Sequence, residues 1–200
     1  MLALVRHGES EWNAKGLWTG LTDVSLTDRG RQEARQAAIL IKELTFHIVF
    51  TSRLVRARQT LEEMLTVFGA QLPITAHHAL NERHYGIHTG KNKWEIKKLV
   101  GDEEFAKIRR SWDYPIPGGE SLKDVHDRVV PYYKKTVHPY LLSGKNVLVV
   151  AHGNTLRALV KHLEGVVDEE IASVEIATGE VLLYHLDAAG SVLTKEKCAA

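Results

Sequence analysis

The 200-residue sequence predicts an α/β fold, a doubly wound and largely parallel sheet flanked by helices. Short apolar runs alternate with amphipathic stretches along most of the chain, the pattern of strands joined by helical crossovers. Two of those runs end in a His-Gly pair, His7-Gly8 and His152-Gly153. In such sheets ligands bind beyond the carboxyl ends of the strands, so both pairs fall on the edge where a site belongs.

The elements follow in order. Leu2 to Val5 is a buried strand that meets a loop at Arg6-His7-Gly8. From Thr27 to Leu44, residues Ala34, Ala37, Ala38, Ile41 and Leu44 recur at helical spacing, with Thr27 as N-cap. His47 to Ser52 reads as a strand, Arg53 to Phe68 as a helix and Pro73 to Ala76 as a short strand. Residues 80–120 carry glycines, histidines and tryptophans with short helical pieces around 92–110, and are expected to cover a site. Ser121 to Leu142 is a long helix bent at Pro131. Lys145 to Val150 is the clearest buried strand; a helix from Thr155 to Leu163 and a final strand from Val181 to Leu186 complete the series. The whole, 1–200, reads as a single domain.

Composition narrows the function. With 44 % hydrophobic and 26 % charged residues the chain is ordinary globular material. The 26 Lys+Arg against 25 Asp+Glu argue against a nucleic-acid binder. No apolar run is long enough to cross a membrane, and the charged motif that begins at Arg6 leaves no room for a signal peptide. The single Cys198 excludes an intrachain disulfide and suits a reducing, cytoplasmic setting. A catalytic metal is not expected. His84 and His88 are separated by Gly86, adjacent His77 and His78 diverge on a strand, and no carboxylate or cysteine completes a ligand set.

Arg6-His7-Gly8-Glu9-Ser10 is the most informative segment. The glycine lets the backbone turn and its amides approach a ligand. The arginine offers a planar fork for phosphate oxygens, and a neutral imidazole can attack phosphorus to form a phosphoramidate. Paired with His152-Gly153-Asn154, this segment resembles that of the histidine phosphatase superfamily. The resemblance extends to the cofactor-dependent phosphoglycerate mutases through Arg6 to Asn13, Thr19-Gly20, Leu80-Asn81-Glu82-Arg83-His84-Tyr85-Gly86, Asn92-Lys93, Arg109-Arg110, Gly119 to Leu122 and Ala151 to Leu159.

That resemblance implies an enzyme interconverting 3-phosphoglycerate and 2-phosphoglycerate, primed by 2,3-bisphosphoglycerate and needing no metal. His7 would be the phosphorylated nucleophile, Glu82 the proton donor and acceptor, and His152 the second histidine. Arg6, Arg56 and His152 would surround the phosphoryl group. Ser10, Asn13, Thr19, Gly20, Gly153 and Asn154 would add neutral hydrogen bonds. Arg83, Tyr85, Lys93, Arg109 and Arg110 would hold the carboxylate and the other phosphate. Alignment of Thr51-Ser52 selects Arg56 over Arg53 and Arg58. A monomer or small homo-oligomer is implied, with small phosphorylated molecules as partners. Two rival classes stay open: a histidine phosphatase, in which water takes the phosphoryl group, and a non-catalytic phospho-ligand binder. The chain departs from the longer members in the short 111–119 stretch, in Ile87-His88-Thr89, and in a brief tail after Leu186, which puts closure of the site in question.

Overall fold

Six strands, β1 (Leu2–Arg6), β2 (Ile48–Thr51), β3 (Ile74–Ala76), β4 (Val147–Ala151), β5 (Val181–Leu186) and β6 (Val192–Cys198), form one sheet in the order β3-β2-β4-β1-β5-β6. The structure is a computed structural model and describes residues 1–198. Strands β3, β2, β4 and β1 run parallel, whereas β5 and β6 close one edge antiparallel. Around the sheet lie α1 (Glu11–Ala14), α2 (Asp28–Leu40), α3 (Val55–Phe68), α4 (Lys93–Val100), α5 (Asp102–Arg110), α6 (Leu122–Tyr132), α7 (His138–Leu142) and α8 (Gly153–Glu164).

Side-chain alternation along each strand sorts the core into two layers. Leu2, Leu4, Phe50, Val147, Val149 and Tyr184 face α6 and α8, where Leu122, Val125, Val129, Leu156 and Leu159 meet them. Ala3, Val5, Val49, Leu148 and Val150 face Ala37, Ala38, Leu61 and Met64 of α2 and α3. Burying each Val, Leu or Phe contributes roughly 1.5–3 kcal/mol, so the parallel strands must stay covered on both sides. A smaller third cluster, Trp18, Ile96, Phe105, Ile108 and Ile116, anchors the 80–120 segment from below.

Local chemistry sets the boundaries. Thr27 caps α2 by accepting from the Gly30 amide, Asn92 caps α4, and Ser121 with Asp124 forms a capping box on α6. The long helix expected over 121–142 is interrupted. Pro131 has no amide hydrogen to continue the ladder, and a π turn at Tyr133–Val137 follows directly before α7 resumes. The expectation of a brief tail after the last strand is corrected. Asp187 turns the chain at Gly190, and Val192–Cys198 pairs with β5. Its exposed lysines left no apolar signal to read. No helix among the described residues is long and apolar enough to cross a membrane.

Gly8 has a different task from the one expected. Its φ is not in the left-handed region, and its amide donates to Thr60 Oγ1 at 3.1 Å rather than toward a ligand. What the position requires is thinness. A Cβ on Gly8 would overlap the Gly30 carbonyl, and one on Gly30 would overlap the Glu9 carbonyl. The loop after β1 therefore lies directly on the first turn of α2. Gly→Ala inside a helix ordinarily stabilises by about 1 kcal/mol. Gly30→Ala should do the reverse and destabilise by about 2 kcal/mol or more, read as a lowered urea midpoint. An unchanged or raised midpoint would mean that the two backbones are not in contact.

Candidate active site

Parallel pairing of β1 with β4 puts Arg6 beside Ala151, so the next residues of both strands, His7 and His152, emerge together at the carboxyl edge. The His7 amide donates to the Ala151 carbonyl at 3.0 Å and ties the two exits. The imidazole centroids are 4.9 Å apart with planes inclined by 60°. Both rings are almost wholly buried.

The hydrogen bonds define the tautomers. His7 Nδ1 lies 2.7 Å from the Gly8 carbonyl, which only accepts, so Nδ1 carries the proton and Nε2 keeps its lone pair. His152 Nε2 lies 2.7 Å from Ser52 Oγ, and that oxygen already accepts from the Leu54 amide. The Ser52 hydroxyl can donate to Nε2, and in that arrangement His152 carries its proton on Nδ1, a buried atom with no partner among the described residues. Ser52 entered the sequence reading only as an alignment marker; its position as the last residue of a predicted strand, level with the two histidines, was the available signal.

Positive charge surrounds the pair. Arg6 follows in β1 and donates to the Ile176 carbonyl at 2.6 Å, and Arg56 on α3 donates to the carbonyls of Gly20 and Thr22. Burial lowers the pKa of both guanidiniums, that of Arg56 to about 10, which leaves Arg56 a cation at neutral pH. Burial first, then Arg56 and Arg6, hold the His7 imidazole well below its ordinary range; burial, Arg56 and His7 do the same to His152.

Glu82 approaches from the loop after β3. Its Oε1 accepts from the Arg83 amide at 2.8 Å, and from the backbone and side-chain nitrogens of Asn154 at 3.2 Å each. Arg128 of α6 holds this loop by donating to the carbonyls of Ala79, Asn81 and Glu82. Tyr85 adds its hydroxyl, which accepts from Asn154 Nδ2 at 2.8 Å.

These groups share one cavity in two compartments. The inner one, about 50 Å³, is lined by Arg6, His7, Asn13, Thr19, Gly20, Arg56, Glu82, Tyr85 and Lys93. The outer one, about 340 Å³, adds Arg109, Arg110, Gly153 and Asn154 to the shared Arg6, Glu82, Tyr85 and Lys93. Thirteen of the residues named from the sequence thus line it, and His152 lies directly behind His7. Ser10 does not reach it, because its hydroxyl caps α1. Arg83 is fully buried and gives its Nε to the Glu120 carbonyl, outside both compartments. Several wall residues had no role in the sequence reading, among them Arg157, Glu175, which pairs with Arg110, and Lys197 of β6. For Arg157 the signal was helical spacing, four residues beyond Gly153. No group of three or more His, Cys, Asp or Glu side chains suited to a metal occurs among the described residues.

A six-stranded α/β sheet with two histidines at the carboxyl edge, ringed by arginines, defines a phosphohistidine-type site. The chain belongs to the histidine phosphatase superfamily (branch 1), whose pattern it matches over residues 2–198. More narrowly, it is 49 % identical over 185 residues to a 2,3-bisphosphoglycerate-dependent phosphoglycerate mutase of Cytophaga hutchinsonii, covering 92 % of this chain and 87 % of that one. It is 48 % identical to the enzyme of the same name from Mesorhizobium japonicum, covering 98 % and 96 %. Among solved structures it superposes on Bacillus stearothermophilus YhfR with a TM-score of 0.84 at 27 % identity, covering 96 % and 93 %.

Two buried neutral imidazoles make stability depend on pH. Below about pH 6.5 the unfolded chain protonates both histidines while the folded chain, whose values lie well below that, does not. Their contribution is therefore complete above about pH 6.5 and is lost as pH falls, by about 1.4 kcal/mol per unit for each ring. Urea unfolding followed from about pH 7 to about pH 5 should show this slope, and His152→Gln should remove about half of it. A slope unaffected by that substitution would mean that the histidine is charged in the folded protein.

Proposed function

We propose that the protein interconverts 3-phosphoglycerate and 2-phosphoglycerate through a phosphohistidine at His7, primed by 2,3-bisphosphoglycerate. One arrangement carries this reading: a neutral His7 with its Nε2 lone pair free beside Arg6 and Arg56, with Arg109 and Arg110 in the outer compartment and Lys93 lining both. A site for simple phosphate release has no need of this outer set. Lys93, Arg109 and Arg110 serve the far end of a ligand that is anionic at both ends. The names of the curated relatives support the same assignment. A cytoplasmic enzyme acting on small phosphorylated metabolites follows from it.

In the proposed cycle His7 Nε2 attacks one phosphorus of the bisphosphate. The N–P bond forms as the P–O bond breaks, and Glu82 protonates the departing oxygen. His152 Nδ1–H and the Arg6 and Arg56 charges balance the negative charge on the equatorial oxygens, where phosphoryl transfer most needs it. An incoming 3-phosphoglycerate then attacks the phosphohistidine with its one free hydroxyl as Glu82 takes that proton, and the N–P bond breaks to give bisphosphate. The bisphosphate turns end for end in the site, and His7 takes its other phosphoryl group to leave 2-phosphoglycerate. Asn13, Thr19 and the backbone around Gly20, Gly153 and Asn154 supply uncharged donors, and Tyr85 steadies the Asn154 amide.

Two measurements test this. Incubation with 2,3-bisphosphoglycerate should leave an acid-labile, base-stable phosphate that His7→Ala abolishes along with turnover. In a coupled assay isomer should outnumber phosphate released; the opposite ratio would make the protein a phosphatase. The second test uses Lys93, whose ammonium is pushed down to about 8, chiefly by burial and then by Arg109 and Arg6. It is charged below that value and neutral above it, so kcat/KM should fall up to tenfold per unit as pH rises past about 8. Lys93→Arg, charged throughout, should move that limb upward. A limb that stays in place would free Lys93 from substrate binding.

A further inference from the structure

We propose that Arg157 is a positioning residue for Glu82: by fixing which way the Asn154 amide faces, it keeps the exchangeable proton on the carboxylate oxygen that meets substrate. This extends the phosphotransfer reading above and rests on it.

Arg157 lies on α8 three residues after Asn154, on the same face and almost fully buried. Its Nη1 donates to Asn154 Oδ1 at 3.0 Å, and its Nη2 to the carbonyls of Ile171 at 2.7 Å and Arg110 at 2.9 Å. The guanidinium offers only donors. Asn154 must therefore turn its oxygen toward Arg157 and its NH₂ group away. That NH₂ group is what reaches Glu82 Oε1 and Tyr85 Oη.

The consequence lies at the carboxylate. Oε1 receives three N–H donors, from the Arg83 amide and from both nitrogens of Asn154. An oxygen so occupied has no room for a proton, so when Glu82 acts as an acid the proton sits on Oε2. Without Arg157 the amide is free to rotate by half a turn. Asn154 Oδ1 would then face Oε1 in place of a donor, leaving only the two backbone amides of Arg83 and Asn154 to hold that oxygen and weakening the preference for a proton on Oε2. The same guanidinium joins the Arg110 end of α5 to the 171–176 wall, which keeps the anion-binding end and the proton-transfer end in one frame. A lysine at 157 preserves the charge but has no planar fork with which to hold three acceptors.

A double-mutant cycle tests the proposal, because structural damage would be additive whereas action through Glu82 is not. Arg157→Lys should lower kcat for isomerisation about 10- to 100-fold, within the range of general acid–base catalysis, and change KM less than about threefold. In the Glu82→Gln background the same change should alter kcat less than about threefold. Bisphosphate should still label His7 in Arg157→Lys, which shows that the nucleophile is intact. Asn154→Ala, which removes the amide and leaves Arg157 in place, should show the same dependence on Glu82 and serves if Arg157→Lys folds poorly. Equal losses in both backgrounds, or a loss confined to KM, would overturn the proposal. If the unmodified protein releases phosphate instead of isomer, the mutase reading falls. The cycle is then read on that hydrolytic rate, where a leaving oxygen still needs its proton.

Discussion

Everything at the site depends on one strand pairing. Five consecutive partners join β1 to β4, from Leu2 with Val147 to Arg6 with Ala151, and the residue after each strand is a histidine. A slip of one residue would exchange the two faces of β1 and move its apolar side chains from one layer to the other. The core therefore enforces the register, and the register sets the 4.9 Å separation of the rings. The two histidines inherit their geometry from packing, whereas Glu82 is carried by the loop after β3 that Arg128 holds.

The cost of this arrangement is electrostatic. Arg6 and Arg56 sit beside two imidazoles that burial keeps neutral, so the site gathers positive charge with little negative charge to answer it. Glu82 answers in part, and Glu175 reaches Arg110 from the opposite wall. In the proposed reaction the anionic phosphoryl group would balance that charge, and preorganised donors that need not move are usually the largest source of rate in such reactions. The neutrality of His7 is part of the same balance, since a protonated ring has no lone pair with which to attack.

Much of this was legible in the sequence because it is written in local patterns. Apolar runs gave the parallel strands and Thr27 gave a helix start. The two His-Gly pairs gave the site, because parallel sheets gather ligands at one edge. The rest depends on contacts that no local pattern encodes. Strand β6 is an exposed edge with charged side chains, so it has no apolar period. The role of Gly8 depends on Gly30, twenty-two positions away, whose closeness only the tertiary structure reveals. Ser10 and Arg83 stand inside motifs that implied binding, yet the Ser10 hydroxyl caps a helix and Arg83, whose Nε is given to a backbone carbonyl, lies outside both compartments. Ser52 and Arg157 act by orienting other side chains, and orientation has no sequence signature beyond spacing.

Strand β1 has a further consequence for how the protein is made. It is synthesised before the other five strands and lies inside the sheet, but both of its neighbours, β4 and β5, come from the last third of this sequence. On the ribosome Leu2 to Val5 must wait, uncovered and unpaired, until residues 147–151 and then 181–186 have emerged. Pairings this distant in sequence form slowly, and an apolar segment kept waiting is one that chaperones recognise and other nascent chains can capture. The histidine that follows β1 thus acquires its neighbours only after β4 and β5 have been made.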